Sequence, residues 1–140
     1  MAFELTIIKR QIHKIANKIK TGQPIYSDDI LPLMRPLSTL ATRIMQRKDY
    51  YQVKSFCAGL ADAFSKADEL KKLGIFKETM IPINGIKKIT SDFLGKKKDK
   101  VEEEYGDINT IKVNIRDLLN QLNASLKAVV IPQLRKAVAA

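Results

Sequence analysis

The stretch from Asp99 to Val130, "DKVEEEYGDINTIKVNIRDLLNQLNASLKAVV", places an apolar residue at every third or fourth position. This spacing is that of one face of an α-helix, so the stretch predicts a single long amphipathic helix. Asp99 can cap its first turn, and the three glutamates at 102–104 complement the helix dipole there. Pro132 is expected to end or kink the helix. The predicted apolar face contains Val101, Tyr105, Ile108, Ile111, Ile115, Leu118, Leu122, Leu126 and Val129.

The rest of the chain shows the same helical spacing, and strand-like alternation is nearly absent. Further helices are predicted at about 3–20, 33–47 and 50–73, with another that contains Ile86, Ile89 and Phe93 and closes at Gly95. Asp49 is a candidate N-cap for the helix that follows it. The predicted fold class is all-α: an antiparallel four-helix bundle with an additional N-terminal amphipathic helix. We expect one helical domain, 1–140, made of an N-terminal docking helix (1–22), the bundle (27–131) and an apolar C-terminal tail (132–140).

The first predicted helix carries a narrow apolar stripe. It consists of Leu5, Ile8, Ile12, Ile15 and Ile19. The break at Gly22-Gln23-Pro24 would let this helix stand off from the bundle and dock on a neighbouring subunit, which is a route to polymers. A free apolar tail is also best explained by packing on a neighbour. The stripe and Val138 of the tail are therefore the predicted subunit-interface residues.

The charge is strongly positive, because 25 lysines and arginines stand against 15 aspartates and glutamates and give a net +10. Such a surplus favours anionic partners. The predicted nucleic-acid-binding residues are Lys9, Arg10, Lys14, Lys18 and Lys20 on the first helix, and Lys96, Lys97, Lys98 and Lys100 near a predicted turn. Contacts of this kind reach phosphates and carry no base sequence, so we expect non-specific binding of double-stranded DNA. The alternative is a solvated face that keeps the protein soluble.

The sequence contains no catalytic motif. His13 is the single histidine and lacks a second ligand for a metal site, and the acidic clusters at helix starts are explained by capping. We therefore expect no enzyme activity, no metal, no cofactor and no small-molecule substrate; a carboxylate-based active site ranks last among the hypotheses. A membrane-surface role for the first helix is disfavoured, because its apolar face is narrow and lacks tryptophan. Cys57 falls in an apolar pattern and is predicted to be a buried, inert thiol.

The N-terminal residues do not have the pattern of a signal peptide, and no stretch is long and apolar enough to span a bilayer. A single cysteine excludes an internal disulfide bond. These features predict a protein that is made and used in a reducing interior, or in a particle assembled there.

Three segments carry a resemblance to a known family: the first helix "FELTIIKRQIHKIANKIK" (3–20), the long predicted helix, and the tail "KAVAA" (136–140). In organisation and size the chain resembles the small, basic, all-helical coat proteins of archaeal viruses, particularly the large tailed spindle-shaped viruses. The resemblance implies a capsid subunit that polymerises around double-stranded DNA, located in the virion after assembly in the host cytoplasm. The high isoleucine and lysine content fits a hyperthermophilic source.

Two functional hypotheses follow. The leading one is a self-assembling capsid subunit, a polymeric homo-oligomer that contacts a double-stranded DNA genome through its basic helix faces. The competing one is a small basic regulator that binds DNA or the host RNA polymerase, a role that the resemblance also implies. Concentration-dependent assembly separates them, because a capsid subunit polymerises and a regulator stays monodisperse.

Overall fold

The computed structural model describes the backbone of residues 3–139 and the side chains of residues 3–130. This part of the chain forms α-helices and short 3-10 helices without a β-strand, which confirms the all-α class. The α-helices are α1 (Phe3–Lys20), α2 (Ser27–Ile30), α3 (Met34–Met45), α4 (Tyr50–Ala63), α5 (Met80–Gly95), α6 (Lys98–Tyr105) and α7 (Ile108–Ala139). The 3-10 helices are Leu31–Leu33, Ala67–Lys72 and Gly74–Phe76.

The five longest helices pack as a closed ring around one apolar core. Helix α1 packs on α3, α3 on α7, α7 on α5, α5 on α4, and α4 back on α1. Each helix contributes the side chains of one face, because residues three or four apart lie on the same side of a helix. The fully buried side chains include Ile8, Ile15, Leu40, Ile44, Val53, Leu60, Ile86, Phe93, Ile111, Ile115 and Leu119.

Helix α1 is part of this core, so the prediction that it stands off from the bundle is wrong. Leu5, Ile8, Ile12 and Ile15 are buried inside the chain, and Ile19 is half-buried against the same core. The stripe is covered by α3, α4 and the 3-10 helix Ala67–Lys72 of the same molecule. These side chains therefore offer no free surface to a neighbouring subunit in this fold. Val138 lies outside the residues whose side chains are described.

The long predicted helix is interrupted once near its start. Gly106 has φ of 98°, a backbone conformation that favours glycine, and it ends α6. The carboxylate of Asp107 then accepts the backbone N–H of Thr110 at 2.8 Å, which caps α7. Helix α7 continues past Pro132 to Ala139, so of the two outcomes expected at that proline the end of the helix is wrong. Most of the predicted apolar face of α7 is buried, but Leu119 and Val130 are buried where the pattern placed Leu118 and Val129, which are only partly buried.

Two further details concern α4 and the segment that follows it. The carboxylate of Asp49 accepts the N–H of Gln52 at 2.9 Å, which confirms the predicted N-cap of α4. The helix predicted at 50–73 divides into α4 and the 3-10 helix Ala67–Lys72, which packs on α1.

Cys57 is fully buried in α4, and burial raises the pKa of its thiol to about 12, so the prediction of a buried, unreactive thiol is confirmed.

Candidate anion-binding surfaces

Most of the basic residues predicted to bind nucleic acid are engaged in ion pairs within the chain. Lys9, Lys14, Lys18, Lys96, Lys98 and Lys100 each have a carboxylate oxygen within 4.0 Å of the ammonium nitrogen. Among residues 3–130, Arg10, Lys20 and Lys97 have no such partner. The predicted residues also lie in two separate regions, on α1 and around the α5–α6 connection.

The charged face of α1 holds the helix to the rest of the fold. Lys9 Nζ lies 2.9 Å from Asp62 of α4, and Glu4 lies 3.2 Å from the guanidinium of Arg43 on α3. Lys18 Nζ donates to both carboxylate oxygens of Asp29 on α2 at 2.9 Å. Three neighbouring helices are thus joined to α1 by opposite charges.

The Lys18–Asp29 pair is the most buried of these contacts. Asp29 is 3% exposed, and its carboxylate also accepts the backbone N–H of Tyr26 at 2.8 Å. Burial would raise the pKa of Asp29, but the hydrogen bonds from Tyr26 and Lys18 outweigh it, and the pKa lies below its usual value. The backbone oxygen of Asp29 accepts from the side chain of Gln11 at 2.6 Å, which adds a second link to α1.

Asp29→Asn is expected to lower the free energy of unfolding at pH 7 by about 1–3 kcal/mol, because it leaves the Lys18 ammonium without its counter-charge. Folding lowers the pKa of Asp29, so the charged carboxylate stabilises the fold above about pH 4. This stabilisation is lost as the pH falls below that value. Urea unfolding of both proteins at several pH values measures this. The two stability curves should converge on acidification; curves that stay parallel below pH 4 would contradict the assigned role.

A second ion-pair cluster joins α5 to α6. Lys88 contacts Asp92 and Glu104 at 3.3 and 2.8 Å, and Lys96 contacts Glu104 at 3.1 Å. The hydroxyl of Tyr105 donates a short hydrogen bond to Asp92. The hydrogen bonds that Lys88 donates to Glu104 and Tyr105 raise the pKa of Lys88. The hydrogen bonds that Glu104 accepts from Lys88 and Lys96 lower the pKa of Glu104. Lys96 is therefore a structural contact between these helices as well as a predicted DNA contact.

The structure also assembles a basic cluster that the sequence analysis missed. Glu69 interacts electrostatically with Lys20, at the end of α1, and with Lys66, just before the 3-10 helix Ala67–Lys72. Lys72 Nζ lies 2.6 Å from Glu69 Oε2. The Lys72 contact, followed by the charges of Lys20 and Lys66, lowers the pKa of Glu69. We call Lys20, Lys66 and Lys72 the lysine patch. Three cations act on one carboxylate, so the patch carries a net positive charge.

A groove of about 1130 Å³ lies between α1 and α4. We call it the α1–α4 groove; its lining includes Lys9, Arg10, His13 and Arg47, with Asp62 as the one carboxylate. Both oxygens of Asp62 accept from Lys9, at 3.1 and 2.9 Å. The guanidinium of Arg47 lies over the ring of Phe56, 5.5 Å from its centroid. The groove is therefore cationic over its open surface.

Two polar atoms of the α1–α4 groove are buried without a hydrogen-bond partner in the described part of the chain. They are Nε2 of His13 and Nε of Arg47. Buried polar atoms are rarely left unpaired, so these two are unusual in the described part of the chain.

Within residues 3–139, no helix is both long and apolar enough to cross a membrane, and no three histidine, cysteine, aspartate or glutamate side chains are grouped to hold a metal ion in the part described. Comparison with known proteins gives no match: no family, no curated protein and no solved structure is similar to this chain. The function is therefore inferred from the fold and from the charged surfaces.

Proposed function

We propose that this protein is a structural subunit of a nucleoprotein or virion that assembles with its own copies and binds double-stranded DNA non-specifically. The observation that supports the proposal is the set of cations that remains after ion pairing. In residues 3–130 the basic side chains with no carboxylate within 4.0 Å are Arg10, Lys20, Arg35, Arg47, Lys48, Lys54, Lys66, Lys71, Lys77, Lys97, Lys112 and Lys127. Only Lys112 of this set is buried.

The surplus of unpaired lysines and arginines favours binding to the phosphate backbone of DNA. Most carboxylates already serve ion pairs or helix caps inside the fold, so they do not neutralise the remaining lysines and arginines. Binding by such cations releases the counterions condensed on DNA, which makes the affinity steeply dependent on salt and indifferent to base sequence. Of the predicted DNA-binding residues, Arg10, Lys20 and Lys97 fit this role best, and the lysine patch adds Lys66.

The assembly part of the proposal needs contacts other than the stripe of α1. Several large apolar side chains are exposed on the single chain: Phe3, Tyr26, Tyr51 and Ile81 are between 61 and 74% exposed. Burying them between copies would be favourable, since each removes apolar area from water. For the fold itself, we propose that α3, α4, α5 and α7 form the antiparallel four-helix bundle and that α1 completes it as a fifth helix.

The test is the affinity for a duplex of about 20 base pairs, measured by fluorescence anisotropy between about 50 and 300 mM NaCl. We expect log K to fall linearly with log salt, with a slope steeper than about −2.7, the value for three phosphate contacts. Two duplexes of unrelated sequence should bind alike. Electron microscopy of concentrated protein, alone and with DNA, should show particles or filaments.

A salt-independent affinity, or none at low salt, would reject the DNA-binding part of the proposal. A protein that stays monomeric at every concentration and with DNA would favour the competing regulator, which the α1–α4 groove also suits.

A further inference from the structure

We propose that the α1–α4 groove is a docking site for an acidic amphipathic helix of a partner protein. The proposal goes beyond DNA binding, because it concerns a different class of partner, although Arg10 on the rim of the groove also belongs to the proposed DNA contacts. It rests on the shape of the groove and on its charge.

The shape fits a helix. The walls are formed by residues at helical spacing, namely Thr6, Arg10 and His13 on α1 and Gln52, Ser55 and Asp62 on α4. These rows are roughly 10 and 15 Å long at 1.5 Å per residue. A three-turn helix with short side chains, taken as a cylinder about 10 Å wide and 16 Å long, occupies roughly 1250 Å³. The groove volume of about 1130 Å³ is close to this value.

Small side chains on α4 keep the groove open. Ser55, Ala58 and Gly59 line it at adjacent positions of one helix face. At Gly59 an added Cβ would lie 2.6 Å from Cδ1 of Leu5, so the glycine permits the close approach of α1 and α4 at this point. Small residues on a helix surface are what allow another helix to pack closely on it.

The charge specifies an acidic partner. Arg10 and Arg47 have no carboxylate partner in residues 3–130, while Asp62 is already neutralised by Lys9. Glutamate side chains of a partner could pair with Arg10 and accept hydrogen bonds from the Arg47 guanidinium.

A helix also suits the groove better than a duplex does. Duplex phosphates form a convex surface that would reach the rim cations but leave the floor beside Phe56 empty. An inserted helix brings apolar side chains to the floor and carboxylates to the rim cations, the mode in which grooves recognise amphipathic helices.

The probe is a fluorescein-labelled synthetic peptide of about 18 residues with leucine on one helical face and glutamate on the other, and the control is a scrambled peptide of the same composition. Anisotropy titration of the full chain should give saturable binding of the amphipathic peptide with a Kd of about 1–50 μM. The scrambled peptide should bind at least about tenfold more weakly, because it cannot present both faces at once.

Two variants test whether the peptide binds in the α1–α4 groove. Ala58→Trp fills the groove without changing the charge, and Arg10→Glu reverses one rim charge; both positions are exposed, so the fold should persist. Each should weaken peptide binding at least about tenfold, a loss typical of an interface hot spot. Lys127→Glu, an exposed position that does not line the groove, is the charge-matched control and should stay within about twofold.

Equal binding of the two peptides would overturn the proposal, as would normal peptide binding by folded Ala58→Trp. The proposal would also be overturned if a DNA duplex displaced the peptide from the wild type and if that duplex no longer bound to Ala58→Trp. The groove would then be a nucleic-acid site.

Discussion

Ile15→Ala is expected to lower the free energy of unfolding by about 2–5 kcal/mol, the range for removing a large aliphatic side chain from a packed core. Ile15 is fully buried, and its helix packs on both α3 and α4. The change deletes aliphatic groups from the buried face of α1, and the closely packed neighbours cannot collapse fully into the space. Urea unfolding followed by circular dichroism measures the loss.

Asn17→Ala is the matched control on the same helix. Asn17 is exposed, so its replacement should change the unfolding free energy by less than about 0.5 kcal/mol. A docking helix that stands off from the bundle predicts the opposite pattern for Ile15→Ala, namely unchanged stability of the monomer and weaker assembly. That result would show that α1 is not part of the core in solution.

The double variant Lys20→Glu, Lys66→Glu is expected to bind duplex DNA at least about tenfold more weakly than the wild type at 100 mM salt, with a slope of log K against log salt that is less steep by about 2. Both residues belong to the lysine patch and have no carboxylate within 4.0 Å in the described chain. Reversal removes two phosphate contacts and adds repulsion. Anisotropy titration across salt concentrations measures both quantities.

The control for this variant changes the net charge equally at other positions. Arg35→Glu, Lys127→Glu reverses two exposed members of the unpaired set that lie outside the lysine patch, so it should weaken binding through net charge alone and by less than the patch variant does. Lys20→Gln, Lys66→Gln should act in the same direction as the reversal but less strongly. Equal losses in the two Glu variants would mean that net charge alone, rather than the patch, drives binding.

The helices were largely predictable from the sequence, because periodic apolar residues report which face of a helix is buried. The spacing of Ile8, Ile12 and Ile15 predicted α1 correctly. The same spacing contains no information about what covers the face, and so α1 was assigned to a neighbouring subunit while the structure packs it on α3 and α4. A stripe on its own fits an internal and an external partner equally well.

The charged surfaces were harder to predict for a related reason. The sequence shows which residues are basic, but a pair such as Lys9 and Asp62 forms only when two helices meet. The lysine patch combines Lys20 and Lys66, which are far apart in the chain and both act on Glu69 because the 3-10 helix Ala67–Lys72 packs on α1. The break at Gly106 could have been recognised, since a glycine followed by aspartate is a common end of one helix and start of the next.

The position of α7 in the ring has a consequence for biosynthesis. Helix α3 has its most extensive packing with α7, and Nζ of Lys112 donates to the backbone oxygen of Arg47 just beyond α3, at 2.7 Å. On the ribosome, α3 emerges early, whereas the helix that covers it is translated after every other element of the ring. Nascent chains therefore expose the apolar face of α3 until α7 has been translated, and chains truncated before α7 should aggregate or depend on chaperones.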